Sequence, residues 1–356
     1  MNKNLFSSLM LVGALTVGSL NAQCPNTPKC VFDSCYYGGD GLSESTAFQI
    51  WSKEHLEELA DSVNNSTVPN PYNWSTNKYF ALMNDITDTV RTVIGYSDAR
   101  CFQGHFQGQN FTITLGINVP VAGSPVGLFG MVNGATILNV TTEGYVRRVG
   151  FTPVGAIVGT SRTWATPEMP TLIKNVTNNC EVSGTAYIGG IIGQTAYNTS
   201  VEFATNTGNI SATTRKSHIG GIVGLGSGIV SNSTNNGKIF GDEVVGGIQG
   251  SLSLSGKILH SLNIGVVTGN KAVGGILGEV WYAPAEIFSN TNHGFIKGNN
   301  EVGGIIGYMD LGIATNNFNS GVVHGNQNVG CIVGRRKVSI GAKVINNHYD
   351  KQMCGE

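Results

Sequence analysis

The sequence predicts an all-β chain, a parallel β-helix or β-solenoid with an N-terminal cap that holds one short helix. Three observations predict it. Near-identical segments recur: VGLFG (126–130), VGAIVG (154–159), IGGIIG (188–193), IGGIVG (219–224), VGGIQG (245–250), VGGILG (273–278), VGGIIG (302–307) and VGCIVG (329–334). From residue 154 their starts lie 34, 31, 26, 28, 29 and 27 residues apart, a spacing that marks a stacked array. Finally, no unit carries 3.6-periodic apolar residues over ten or more positions; each has short β-branched pieces cut by Gly and Asn.

Composition agrees. Charged residues are 12% of the 356, the net charge is −1, and 50 residues are glycine. A nucleic-acid binder would need a basic stripe, and none is present. The one basic run, Arg335-Arg336-Lys337, reads as a solvated end of the array.

The elements follow in order. Residues 1–22 have the shape of a signal peptide: Lys3 in a short polar start, an apolar run from about Leu5 to Val17, and small residues before Gln23. No later segment is long and apolar enough to span a bilayer. An exported chain meets oxidising conditions, so its cysteines read as disulfides. The expected pairs are Cys331 with Cys354, across the last coil, and pairs among Cys24, Cys30, Cys35 and Cys101.

Residues 23–120 break the repeat and read as the cap plus early irregular coils. Lys53–Val63 reads as an amphipathic helix with Ser52 as N-cap and Leu56, Leu59, Ala60 and Val63 on one face. Extended stretches follow at 78–83 and 111–119.

Residues 121–334 are the repeats. Their Gly columns contain Gly189, Gly190, Gly193, Gly220, Gly221, Gly224, Gly246, Gly247, Gly274, Gly275, Gly303 and Gly304. A bend at Gly-Gly turns the aliphatic residues on both sides inward, where a straight strand would put them on opposite faces. A companion Gly recurs at 208, 237, 265, 294 and 321, with Cys180 in its place once. Two residues before it stands Asn178, Asn206, Asn235, Asn263, Asn292 or Asn319, and Thr142 holds the place in a degenerate earlier unit. Stacked amides at a turn form a hydrogen-bonded ladder. Residues 335–356 read as the C-terminal cap.

The Gly-[Leu/Ile]-x-Gly unit with its Asn-x-Gly companion resembles the GLUG-motif repeat family of bacterial secreted and cell-surface proteins. GGDGLSESTAFQI (38–50), HLEELADSVN (55–64), YFALMNDI (79–86) and FQGHFQGQNFTI (102–113) resemble the lead-in to such arrays, and NHYDKQMC (347–354) resembles their end. The resemblance implies a β-solenoid on the cell exterior, often an adhesin or an accessory part of a larger secreted protein, and implies no catalytic site. Some members belong to immunoglobulin-cleaving metalloproteases, whose zinc domain is separate; HLEEL (55–59) is not a zinc-binding HExxH.

Function is expected to be binding. Trp164, Tyr197, Trp281, Tyr282 and Tyr308 follow the Gly motifs at similar offsets, so they are candidates for one ligand-binding edge, and the insertion 161–172 carries the first of them. The partner is expected to be a protein or glycan at a cell surface, with no nucleic acid, no cofactor and no metal. Carboxylates are scattered singly beyond residue 100, and Asp242-Glu243 reads as a solvated turn, so no enzyme is expected. The alternatives are a structural spacer or assembly subunit with no ligand of its own, and a β-helical carbohydrate-active enzyme.

Overall fold

The structure, a computed structural model, describes residues 38–68, 72–119, 123–162, 169–212, 214–281, 284–337 and 341–354. The expected signal peptide, Cys24, Cys30, Cys35, Trp164 and Tyr282 lie outside the described residues. A full coil visits five short strands, for example Thr171–Lys174, Thr177–Asn178, Glu181–Gly184, Tyr187–Gly189 and Ile192–Thr195. Each pairs in parallel with its equivalents one coil before and one coil after. The result is a parallel β-solenoid of about ten coils.

Four sheets run along it. The first, 11-stranded, extends from Phe48–Ile50 to Lys343–Ile345. The second, 16-stranded, takes two strands per coil, because Thr141–Arg148 pairs with both Thr177–Asn178 and Glu181–Gly184. The third, 7-stranded, runs from Val154–Gly155 to Gln327–Gly330, and the fourth, 8-stranded, from Phe129–Val132 to Val333–Arg336.

Aliphatic columns fill the interior. Ile173, Val201, Val230, Ile258, Ile287 and Ala314 are in register. So are Val182, Ile210, Ile239, Val267, Ile296 and Val323. All are at least 97% buried, and each large one contributes about 1.5–3 kcal/mol by leaving water. The strand Tyr187–Gly189 bends at Gly190–Ile191 and resumes at Ile192, so Ile188 and Ile191 are both fully buried.

The Asn column explains the glycines. Asn178 Nδ2 donates to Asn206 Oδ1 (2.7 Å), and the chain continues through Asn235, Asn263, Asn292 and Asn319 at 2.7–2.8 Å. Each Nδ2 also donates to the carbonyl two residues on. The amides are fully buried. A Cβ on Gly190 would lie 2.1 Å from Gly221 O and 2.6 Å from Asn206 Oδ1, and one on Gly275 2.1 Å from Gly304 O and 2.7 Å from Asn292 Nδ2, so the second motif glycine leaves room for the backbone carbonyl and the amide of the next coil. A second ladder, absent from the sequence reading, runs beside it: Ser233, Ser261, Asn290, Asn317 and Asn347 each accept the backbone N–H of the equivalent residue one coil earlier.

The ends differ from the repeats. The helix, Lys53–Asn64, buries Leu56, Leu59, Ala60, Val63 and also His55; Ser52 sits at its N-cap position without a side-chain cap hydrogen bond. At the other end Cys331 and Cys354 form a disulfide. Position 331 admits a side chain because the last coil pairs Tyr349, not an Asn, with Asn319. Cys101 is described, while the cysteines it was expected to pair with, Cys24, Cys30 and Cys35, are not. It is a free, fully buried thiol whose Sγ faces Asp98 O at 3.5 Å. Burial pushes its thiol up to about 11. No helix among the described residues is long and apolar enough to cross a membrane.

Candidate ligand-binding groove

The solenoid places equivalent residues of successive coils side by side, so a site can be assembled from residues about 28 apart in sequence. In the fourth sheet Ser251, Glu279, Tyr308 and Arg335 form one column. In the third sheet the pairing joins Glu243 to Lys271 and Val245 to Val273, skipping Val244, Ala272 and, one coil on, Glu301. These three skipped residues have φ of +56°, +51° and +56°. This left-handed backbone is unfavourable for side chains with a Cβ, above all for β-branched valine. The kink turns them toward the column.

Between the two lies a groove of about 570 Å³. Val244, Ala272 and Tyr308 form its apolar floor. Trp281, 37% exposed, stands on the wall with its ring 5.0 Å from that of Tyr308. Glu279 is buried and accepts from Ser251 Oγ at 3.3 Å. Burial raises its pKa above the usual carboxylate value, opposed by the Trp281 and Ser251 hydrogen bonds. Glu301, also buried, pairs with Arg335 Nη1 at 2.8 Å, and that guanidinium lies 5.7 Å from the Tyr308 ring centre. His218, at the rim, is pulled down to about 4 by burial and is neutral at pH 7.

Of the aromatic candidates, Trp281 and Tyr308 come together, but Tyr308 is 93% buried and serves as floor. Tyr197 is 44% exposed and lies three coils earlier, away from the groove. The basic run is exposed at all three residues, as expected of a solvated end, and two of them are also paired: Arg335 holds Glu301, and Lys337 Nζ lies 3.3 Å from the fully buried Asp310. Asp242 faces Arg215 at 3.9 Å, while Glu243 lines the groove. Glu279 and Glu301 were missed because they are isolated in sequence. The signal that finds them is the repeat alignment, which puts a carboxylate at positions held by Ser251 and Ala272 in neighbouring units. Among the described residues no His, Cys, Asp and Glu cluster is arranged to hold a metal ion.

No family model and no curated protein matches the sequence. Among solved structures, the chain is similar to a Bacteroides ovatus protein named a "putative immunoglobulin A1 protease". The TM-score is 0.55 and the identity 19%, over 73% of this chain and 79% of that one. At that identity the likeness shows a shared β-solenoid fold.

Proposed function

We propose that the protein is an extracellular GLUG-type solenoid that acts as an adhesin-like binding protein and holds a glycan in the groove between Trp281 and Glu301. The observation that carries this is the exposed Trp281 ring beside Tyr308, set among the buried polar groups Glu279, Ser251 and Glu301. A flat ring covers the apolar face of a pyranose, and fixed carboxylates accept its hydroxyls. The extracellular assignment is supported by the Cys331–Cys354 disulfide, a bond of oxidising compartments. The test is a glycan array probed with the secreted chain and with Trp281→Ala. Specific binding that falls at least tenfold in the folded variant supports the reading; equal binding by both removes the groove from it.

One observation favours a second reading. Glu279 and Glu301 share the groove, one enclosed without a cationic partner in hydrogen-bond contact and the other ion-paired. Glycoside hydrolysis uses such a pair, one carboxyl protonated and one ionised. Release of reducing ends from an array-positive glycan, abolished by Glu279→Gln, would replace binding with hydrolysis.

A further inference from the structure

A second hollow lies on the outer face of the first sheet, near the N-terminal end of the solenoid. Its volume is about 580 Å³, within the range of small-molecule sites. Ala47 and Ala81 form the floor, and their small side chains are what leave the space. One wall is the pair Tyr79 and His105, paired across adjacent coils, with ring centres 4.4 Å apart and planes within 20°. The facing wall is made of amides. Gln107 Oε1 accepts from Asn139 Nδ2 (2.8 Å) and from Gln109 N (3.2 Å). That arrangement commits Gln107 Oε1 and Asn139 Nδ2. It leaves Gln107 Nε2, a donor, and Asn139 Oδ1, an acceptor, without a hydrogen bond among the described residues. The turn that carries this wall is strained: Gln109 and Asn110 are consecutive residues at φ +51° and +66°.

The chemistry selects a ligand. Glu44 is the one acidic group lining the hollow, no lysine or arginine lines it, and burial lowers the pKa of His105 against the pull of Glu44, so the wall repels a phosphate or carboxylate and offers hydroxyls one further acceptor. An apolar ligand would leave the amides unmatched, at about 1–3 kcal/mol for each buried group. Hydroxyls both donate and accept, and a sugar ring has an apolar face for the Tyr79–His105 wall. We infer that the hollow bounded by Tyr79, His105, Gln107 and Asn139 is a saccharide-binding site that takes a neutral hexopyranose unit.

This site is separate from the groove at Trp281. Along the first sheet, His105–Gln107 stands six strands from Glu286–Phe288, which follows Leu277–Val280 in the chain. At ~4.8 Å per strand the two lie roughly 29 Å apart along the axis, too far for direct coupling.

The experiment is ligand-observed saturation-transfer NMR on the secreted chain, with cellotetraose, mannotetraose, β-1,4-galactotetraose and chitotetraose as probes. The wild type is expected to bind at least one probe through this hollow. The double variant His105→Ala/Gln107→Ala should weaken that probe at least tenfold. Ala81→Leu should do the same by filling the floor, without removing any packing. Trp281→Ala should leave binding at this site intact. Binding of no probe overturns the inference, as does binding unchanged in folded Ala81→Leu. A probe lost in Trp281→Ala and kept in Ala81→Leu belongs to the other groove and also overturns it, while leaving the reading of that groove intact.

Discussion

Replacing Asn263 by alanine tests the amide ladder, the feature that ties the repeats together. Asn263 accepts from Asn235 Nδ2 at 2.7 Å and donates to Asn292 Oδ1 at 2.8 Å and to Gly265 O at 3.0 Å. All three bonds are buried. The damage is partly buffered, because Asn235 Nδ2 keeps Gly237 O and Asn292 Oδ1 keeps the Gly294 N–H. Three lost bonds at about 1 kcal/mol each, plus a small void, give a destabilisation of about 3–4 kcal/mol. Urea unfolding followed by tryptophan fluorescence reads the total. Hydrogen exchange read by mass spectrometry locates it, and protection should fall in the coils that hold Asn235, Asn263 and Asn292. The control is Asn236→Ala, one residue from the ladder but exposed, which should change stability by less than about 0.5 kcal/mol. A loss below about 1 kcal/mol in Asn263→Ala, or equal losses in the two variants, would refute the ladder as a source of stability.

Gly275→Ala should unfold more readily than wild type by at least about 2 kcal/mol, measured the same way, because the new Cβ meets the Gly304 carbonyl and the Asn292 amide of the next coil. Cys331→Ser should release the C-terminal segment; the disulfide closes a separation of 23 residues, worth about 3 kcal/mol on the chain-entropy account, and proteolysis of residues 341–354 should report it. His218 is held well below its ordinary value of 6.5, to about 4. Below pH 6.5 the unfolded chain therefore binds a proton that the folded chain refuses, and stability falls between pH 6.5 and about 4; His218→Asn should flatten that limb of a urea-midpoint profile. Glu279 has the opposite sign in its proton balance. Its folded pKa is raised, so the folded state holds the proton longer and stability falls as pH rises past the ordinary carboxylate value; Glu279→Gln should gain stability at pH 7 by comparison with wild type.

The fold was legible because one coil is a sentence repeated with few changes. The aliphatic columns and the Asn ladder are each written six times and the Gly-Gly bend five times, and stacking is the arrangement that satisfies all of them. The second ladder was not legible, since its column changes from Ser233 and Ser261 to Asn290, Asn317 and Asn347. Two residue types here do one job, accepting a backbone N–H. The groove was half legible. Aromatic offsets pointed to Trp281 and Tyr308, but offset alone does not separate a wall from a floor. Glu301 depends on a left-handed kink that also carries Val244, a residue no propensity argument would place there. The hollow at Tyr79 and His105 was not seen at all, because it lies in coils that keep the stacking but not the motif.

The ladder also has a direction. From Asn178 to Asn319 every carboxamide donates toward the C-terminal coil and accepts from the N-terminal one. Five aligned amide-to-amide bonds therefore add their dipoles along the axis, with the positive end at the Cys354 cap. There Asn319 Nδ2, the last donor, meets the Cys354 sulfur at 3.9 Å and Gly321 O among the described residues. A column of this kind has no preferred length. Inserting or deleting one whole coil leaves every amide between the same two neighbours, whereas a change of a few residues breaks the polarity at one step. The molecule can be lengthened or shortened in increments of one coil, and its reach from one end to the other is set by how many are present.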